Sequence, residues 1–363
     1  MSYKNVIVNA FRYPAALPDW PLREWDLLLR QLKQSGLTAS LYARLEAMDL
    51  LQKIPARPAR HLEWAGRLAA QHHQSVRWEV DFIRTALEQS SVPVVLLKGA
   101  AYVLADLPCA AGRIFSDIDI LVPKENIDKV ESALMIAGWH STHHDSYDQR
   151  YYRQWMHELP PMTHFSRATV IDVHHAILPL TARLRPDSTK LLQAKLPVAG
   201  FTALMTLAPA DMVLHSAVHL FCDGEFDHGL RDLLDIDSLL KHFSERTGFW
   251  SALTLRAQEL DLTRPLFYAL RYTRLFFDTP VPNEVVTKAD AGKPNAVLLV
   301  LMDNLFSRAL LPNLASGQQQ LTTVARFALY VRGNWLRMPP VLLMRHLFQK
   351  AFMSPRQQVV NDH

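Results

Sequence analysis

The sequence is poor in cysteine and in glycine, and each shortage limits the class of protein it can encode. Its only cysteines are Cys109 and Cys222, too few for a disulfide framework or a cysteine-based zinc site. Glycine occurs 12 times in 363 residues, whereas leucine, alanine and arginine are plentiful. Those three residues favour helices, so we expect helix to dominate the fold.

Long apolar runs are also missing from the chain. No uninterrupted apolar stretch approaches the length that a membrane-spanning helix needs. The first residues, "MSYKNVIVNAFRYPAALPDWP", lack the apolar core and the cleavage-like site of a signal peptide. We therefore expect a cytoplasmic protein.

Acidic residues are absent from Asn304 to Asn361, a segment that is basic and rich in large apolar side chains. Its basic residues are Arg308, Arg326, Arg332, Arg337, Arg345, Lys350 and Arg356. Such a composition predicts peripheral contact with an anionic membrane or with nucleic acid through residues 320–356. A helical subdomain with a basic, solvated face explains the same composition, and both interpretations stay open.

The hydrophobic pattern divides the chain into three regions. Residues 1–90 space their apolar residues at three and four, which predicts an N-terminal helical region. Residues 91–180 contain strand-like runs, among them "VPVVLLKG", "YYRQWMHEL" and "ATVIDVHHAI", and form the predicted core. Residues 181–363 return to helical spacing and form a C-terminal helical domain with the basic tail. The predicted fold class is α+β.

Two aspartates stand two positions apart in the strand-like stretch "SDIDILV". Asp117 and Asp119 therefore share one face of the strand, while Ile118 and Ile120 share the other and can enter the core. A third carboxylate, Asp172, has a similar setting in "TVIDVHH". If the two strands are neighbours, three carboxylates converge, and such an oxygen-only set suits Mg²⁺ or Mn²⁺. Alternatively, the first aspartate caps the strand and the second pairs with a nearby arginine or lysine.

A glycine turn precedes the aspartate pair. The stretch "LLKGAA" is typical of a strand, a turn and the start of a helix, where free backbone N–H groups can bind phosphate. Lys98 places a cation beside Gly99, and Arg113 lies just before the aspartates, within reach of phosphates or carboxylates. Together with Ser116, these three residues are the candidate nucleotide-binding residues.

The segment "LLKGAAYVLADLPCAAGRIFSDIDILV", followed by "VIDVHH", resembles the nucleotidyltransferase superfamily, whose fold is shared with the palm of DNA polymerase beta. The closer resemblance is to a bacterial group of uncharacterised nucleotidyltransferases. It implies a nucleotidyltransferase-like mixed β-sheet core with flanking helices. By position, Gly99 matches the superfamily's turn. Asp117 and Asp119 match its metal pair and Asp172 its third carboxylate, which would make these three the catalytic and metal-binding residues.

The resemblance also implies an activity. Enzymes of the superfamily use Mg²⁺ to move a nucleoside monophosphate from a triphosphate to a hydroxyl or phosphate, releasing pyrophosphate. We therefore predict a nucleotidyltransferase that depends on Mg²⁺ or Mn²⁺, with ATP as the default donor and an unknown acceptor. Ala100 departs from the superfamily, which usually has serine or glycine after the turn. This departure leaves open a nucleotide-binding or regulatory protein without the chemistry, and the basic tail leaves open a membrane-associated interaction protein.

A looser resemblance to the same group runs through residues 207–240. It implies that His215 and His219, four apart on one helix, face the cleft. It implies the same for Arg231 and Asp235 on the next helix. A simple salt bridge between the latter two residues is the alternative, because they are also four apart.

The histidine pair of this segment has two further interpretations. With His228 or Asp223 as a third ligand, His215 and His219 would have the residue types of a zinc site. They lack the glutamate that would make "HSAVH" a zinc-protease motif. Interior histidines that are satisfied by hydrogen bonds explain the same pattern without a metal.

Two other groups of histidines lie near the predicted core. His174 shares a strand face with Asp172, so we include it among the residues that could line the cleft. The second group lies in a predicted loop and is typical of a solvated turn. Its members are His140, His143, His144 and Asp145.

Overall fold

A seven-stranded mixed sheet surrounded by helices forms the centre of the protein. The computed structural model describes residues 6–141, 152–153, 155–201, 203–312, 319–339 and 344. This architecture confirms the predicted α+β class with helical regions on both sides of a mixed sheet.

The region before the sheet is helical, as its spacing predicts. Its α-helices are α1 (Val6–Arg12), α2 (Leu22–Ser35), α3 (Thr38–Ala47) and α4 (Ala56–Glu88). Pro55 immediately precedes α4, where its fixed backbone angle suits a helix start and its missing N–H costs nothing. The long α4 buries a stripe that includes Leu62, Val76 and Val80, and this stripe joins the main hydrophobic core.

The strands of the sheet are short and come from distant parts of the sequence. They are β1 (Val94–Leu96), β2 (Asp117–Leu121), β3 (Trp139–Ser141), β4 (Met162–His164), β5 (Val170–His174), β6 (Leu196–Pro197) and β7 (Leu204–Thr206). Their spatial order is β3-β4-β5-β2-β1-β7-β6. Strand β2 is central, with β5 parallel on one side and β1 antiparallel on the other. Two helices, α5 (Lys98–Leu104) and α6 (Ile127–Ile136), follow β1 and β2 in the chain.

The sheet extends beyond the segment 91–180 that the sequence marks as the core. Strand β7 pairs parallel with β1, and β6 pairs antiparallel with β7. The division of the chain into three regions stays a prediction. The strands of the sheet come from two of these regions, residues 91–180 and 181–363. The predicted strand in "YYRQWMHEL" is wrong, because Tyr152, Arg153 and Trp155 are helical. Among the described residues of this stretch, Glu158 alone makes a β-bridge, an isolated one with His174.

A buried carboxylate anchors the turn between β4 and β5 to helix α4. Glu79 accepts two hydrogen bonds from the guanidinium of Arg167, at 2.8 and 3.0 Å, and one from the hydroxyl of Thr169 at 2.7 Å. The same guanidinium lies over the ring of Trp139, 4.9 Å from its centroid. These contacts fix the start of β5 and with it the position of β5 beside β2.

Helices form most of the remaining described residues. They are α7 (Ser188–Gln193), α8 (Pro209–Cys222), α9 (Gly229–Ser244), α10 (Phe249–Glu259), α11 (Thr263–Phe277), α12 (Asn283–Ala289), α13 (Ala296–Ala309) and α14 (Gln319–Arg337). Aromatic rings hold three of them together. The ring centroids of Phe221, Tyr268 and Phe306 lie 5.2 to 5.7 Å apart.

Helix α14 is fixed against the end of α8. A Cβ at Gly333 would lie 2.5 Å from the backbone oxygen of Asp223, so only glycine permits this approach. Arg332 donates a hydrogen bond to the backbone oxygen of Phe221 at 2.6 Å, and Arg326 pairs with Asp227 at 3.4 Å. These two basic side chains therefore contact the rest of the chain.

The predicted contact of residues 320–356 with a membrane or nucleic acid stays a prediction. Arg345, Lys350 and Arg356 lie outside the described residues. Within the described part of the chain, no helix is both long enough and apolar enough to cross a membrane.

Candidate metal and nucleotide site

Three aspartates meet on one face of the sheet. In the parallel register of β2 and β5, Asp119 lies opposite Asp172 and Asp117 lies opposite Val170. Because Asp117 and Asp119 are two residues apart, their side chains point to the same face. Carboxylate oxygens of the three aspartates all lie within 4.8 Å of one another. The structure thus brings together the three carboxylates that the sequence singles out.

Asp119 is the most buried of the three and is held by two cationic partners. Its Oδ2 lies 3.5 Å from Nζ of Lys98, and its Oδ1 lies 3.0 Å from Nε2 of His174. Burial opposes ionisation, but Lys98 and His174 together hold the pKa of Asp119 well below its usual range. Asp119 therefore pairs with a lysine, as the alternative interpretation of the sequence has it, and it also belongs to the group of three aspartates.

Asp172 has the opposite environment. Its Oδ1 is buried and has no hydrogen-bond partner among the described residues. Burial, and next the charge of Asp119, raise the pKa of Asp172 to about 7. A buried carboxylate oxygen without a partner is costly, and either a proton or a cation would satisfy it.

The turn after β1 places Lys98 and Gly99 beside the aspartates. Lys98 begins α5 with a φ of +42°, a left-handed conformation that a lysine rarely adopts. The N–H of Leu97 donates to the backbone oxygen of Asp119 at 3.0 Å, which ties the turn to β2. A Cβ at Gly99 would lie 2.6 Å from the ring of Phe115, so the close packing of this ring alone requires glycine.

A cleft of about 720 Å³ opens beside this turn, a size typical of small-molecule sites. Its lining includes four of the residues grouped as nucleotide-binding and two of the aspartates. They are Lys98, Gly99, Arg113, Ser116, Asp117 and Asp119. From the helices come Lys33, Leu68, His219 and Arg231, and His228 lines the cleft just before α9. Cations from several elements therefore surround the carboxylates.

Arg113 lines the cleft but is already held by carboxylates of α9. It forms a buried ion pair with Asp235, and its Nη1 lies 3.5 Å from Asp232. Although burial opposes its charge, Asp235 and Asp232 raise the pKa of Arg113 above its usual value. The side chain thus links the loop before β2 to α9.

The other two candidates at this edge have local partners. Arg231 pairs with Asp232 at 3.1 Å, so the predicted alternative of a helix salt bridge between Arg231 and Asp235 is wrong. The hydroxyl of Ser116 donates to Oδ1 of Asp117 at 3.1 Å.

His174 bridges the aspartates to a group that the sequence analysis missed. Its Nε2 faces Asp119, and its Nδ1 lies 3.1 Å from Oε2 of Glu158. Burial lowers the pKa of His174, but Asp119 and Glu158 outweigh burial and raise it. His157, the next residue in the chain, has its ring centroid 5.3 Å from that of His174. No periodic signal marks Glu158, because it joins the sheet through one isolated bridge.

The histidines of α8 do not form a metal cluster with the partners considered above. His215 is buried, and burial lowers its pKa well below the usual value. His219 lines the cleft and lies 3.5 Å from Asp223. Among the described residues, two groups have metal-ligand geometry: the aspartate triad, and His157 with Glu158 and His174. His143, His144 and Asp145 of the predicted loop lie outside the described residues.

Comparison with known proteins agrees with this geometry. The family model described as "Uncharacterised nucleotidyltransferase" matches residues 21–278. The chain belongs to this family. The match begins just before α2 and ends just after α11, so it includes the whole sheet and the cleft. No curated protein and no solved structure matched the chain.

The residues of the site fit a divalent cation of the kind that nucleotidyltransferases generally use. The triad offers oxygen ligands only, which Mg²⁺ and Mn²⁺ prefer. The unpartnered Oδ1 of Asp172 is an oxygen that a cation would satisfy. Lys98 neutralises part of the charge of Asp119, so the triad keeps an excess of negative charge for the ion.

Proposed function

We propose that this protein is a nucleotidyltransferase that depends on Mg²⁺ or Mn²⁺. It would move a nucleoside monophosphate from a nucleoside triphosphate to an acceptor oxygen and release pyrophosphate. The observation that carries the proposal is the direct pairing of Asp119 with Asp172 beside Asp117, with one oxygen of Asp172 left without a partner. ATP is the first donor to test, and the acceptor is left to a screen.

The aspartates would hold the cation, which when bound supplies positive charge to the phosphoryl oxygens as the transition state forms. Asp117 and Asp119 come from one strand and Asp172 from its neighbour, so the sheet fixes their spacing without the ligand. Asp172 could alternatively take the proton of the attacking hydroxyl at Oδ1, since its pKa of about 7 suits a general base.

The phosphates would lie along the cationic side of the cleft. Lys98 is close enough to Asp119 to contact both the carboxylate and a nearby phosphate. Arg231 lines the same cleft. Arg113 would act mainly by holding α9 against the loop before β2, because Asp235 and Asp232 already occupy its guanidinium.

The first experiment titrates ATP, GTP, CTP and UTP with Mg²⁺ into the full chain by calorimetry. The double variant Asp117→Asn/Asp119→Asn should lose metal-dependent binding. The matched control is Asp26→Asn, which changes an exposed carboxylate of α2 that is not among the residues lining the cleft. Wild-type affinity in the double variant would contradict the proposal.

A second candidate is a protein of the same fold that binds a nucleotide without transferring it. The engagement of Arg113 by two carboxylates favours it, because that cation is not free for phosphate. Ala100 is buried in α5 and offers no hydroxyl to the cleft. Nucleotide binding with no pyrophosphate release across a panel of hydroxyl acceptors would identify this candidate.

A further inference from the structure

A second group of ligand-type side chains lies directly behind the aspartate triad. It consists of His157, Glu158 and His174, whose ligand atoms all lie within 4.8 Å of one another. Nδ1 of His174 is 3.1 Å from Oε2 of Glu158, and Nε2 of His157 is 4.0 Å from the same oxygen. Ligand atoms around a tetrahedral Zn²⁺ are separated by roughly 3.4 Å, which follows from its bond lengths. The three side chains therefore need little movement to close on an ion.

The chemistry of this group differs from that of the triad. Two imidazole nitrogens and one carboxylate oxygen suit Zn²⁺ and similar transition-metal ions rather than Mg²⁺. The side chains of His157 and Glu158 are 15% and 18% exposed, and that of His174 is 7% exposed. An ion could thus enter from the His157 side and keep a further position open to water or another ligand.

An unsatisfied nitrogen supports the same conclusion. Nδ1 of His157 is buried and has no hydrogen-bond partner among the described residues. Buried imidazole nitrogens normally have a partner, so the group is incomplete in its present arrangement. Because no hydrogen bond from the described residues holds Nδ1, the ring is free to turn and present either nitrogen to an ion, which would then fix the ring.

We propose that His157, Glu158 and His174 form a binding site for a transition-metal ion, with Zn²⁺ as the reference ion. His174 would bind through Nδ1, which carries no proton when it holds a metal, so any proton on that nitrogen would leave to solvent. Its Nε2–H would go on donating to Oδ1 of Asp119, 3.0 Å away. This is the arrangement of carboxylate, histidine and metal in which the carboxylate orients the ligand.

The zinc site would be linked to the aspartate triad through a single imidazole ring. A metal on Nδ1 of His174 would hold that ring, and the ring would hold Asp119 in the position that pairs with Lys98. The proposal does not depend on nucleotide transfer, because zinc binding is measured without nucleotide. Its failure would leave the proposed function untouched.

The experiment titrates Zn²⁺ into the metal-stripped full chain by calorimetry in the presence of excess Mg²⁺. We expect one Zn²⁺ per chain, because Mg²⁺ competes poorly for imidazole nitrogens. His157→Gln and Glu158→Gln should each weaken zinc binding at least about tenfold, the size of effect expected when a ligand is lost. Circular dichroism would check that both variants are folded.

Two control variants separate this site from its neighbours. Asp172→Asn should weaken Mn²⁺ binding at the triad by far more than it changes zinc affinity. His143→Gln/His144→Gln changes two histidines that lie outside the described residues and should leave zinc affinity unchanged. Loss of zinc in the second control, with normal affinity in His157→Gln, would overturn the proposal, and so would the absence of stoichiometric zinc in the wild type.

A measurement on the wild type alone guards against variants that fail to fold. Co²⁺ is a spectroscopic substitute for Zn²⁺. Its visible absorption is intense when its coordination number is low and nitrogen is among the ligands. We expect an intense band at one equivalent of Co²⁺ that Zn²⁺ removes and Mg²⁺ does not. Only the weak absorption of six-coordinate Co²⁺ would contradict the site.

Discussion

Asp172 lies directly opposite Asp119 across the parallel pair formed by β5 and β2. The two carboxylates are neighbours in space but have different electrostatic surroundings, because Lys98 and His174 form their ion pairs with Asp119. One therefore stays ionised while the other resists ionisation. This asymmetry determines how the site should respond to pH and to a cation.

The contribution of Asp172 to the stability of the metal-free protein should fall as the pH rises from about 4 to about 7. The folded protein raises the pKa of Asp172 from 3.8 to about 7, so ionising this group is disfavoured in the folded state only. The stability associated with the protonated form is complete below about pH 4 and is lost as pH rises through about 7. Asp172→Asn should therefore stabilise the protein more at about pH 8 than at about pH 5.

Urea unfolding in the presence of a chelator measures this difference. The control Asp26→Asn removes an exposed carboxylate, and its effect should be small at both pH values. An equal effect of Asp172→Asn at the two pH values would show that the carboxyl is not perturbed in solution.

The affinity of the triad for Mn²⁺ should increase with pH below neutrality. A cation competes with the proton on Asp172, whose pKa is about 7. Between about pH 6 and pH 5 the affinity should drop about tenfold, since one proton must be displaced. Mn²⁺ binding followed by electron paramagnetic resonance gives this slope, and Asp172→Asn should both weaken binding and flatten it. A flat profile in the wild type would exclude this aspartate as a ligand.

Breaking the buried pair between Arg113 and Asp235 should destabilise the fold strongly. Asp235→Ala leaves a buried guanidinium with less compensation, which costs about 3–5 kcal/mol. The control Asp81→Ala breaks the more exposed pair with Arg84 and should cost less than about 1 kcal/mol.

Chemical denaturation of Arg113→Met, Asp235→Leu and the double variant Arg113→Met/Asp235→Leu completes a double-mutant cycle. The double variant should lose less than the sum of the singles, because neither charge is left alone. Additive losses would mean that the two side chains act independently. Arg113 would then again be a candidate for binding the phosphates.

Gly99 should be needed for packing against Phe115 whether or not it also contacts a ligand. The Cβ of Gly99→Ala would lie 2.6 Å from the ring of Phe115, so the variant should lose about 1–3 kcal/mol of stability. Phe115→Leu should restore most of that stability in the double variant. Nucleotide affinity that stays low after this rescue would show that the turn also contacts the phosphates.

The local part of the site is readable from the sequence because strand periodicity is local. Alternation alone places Asp117 and Asp119 on one face, and the same alternation puts His174 on the face of Asp172. Two features that complete the site depend on contacts between distant segments. Arg113 meets Asp235 across 122 positions of the chain, and Glu158 reaches His174 through one bridge.

The edge of the sheet is equally hidden from sequence reasoning. Strands β6 and β7 have two and three residues, which is too short for alternation to be recognised. They exist because β7 hydrogen-bonds to β1, and β1 is recognisable as a buried apolar run. The stretch "YYRQWMHEL" shows the opposite error, a predicted strand that does not form. Aromatic residues favour strands in general, but Tyr152 and Trp155 are helical here.

The parallel pairing of β1 with β7 also constrains the order in which the chain can fold. During synthesis, β1 emerges long before Leu204, its partner for Val94, so one edge of β1 stays bare in the meantime. A fragment that ends at residue 180 would contain all three aspartates and still expose that apolar edge to other chains. The smallest piece able to hold the site without self-association must therefore extend past Thr206, the last residue of β7.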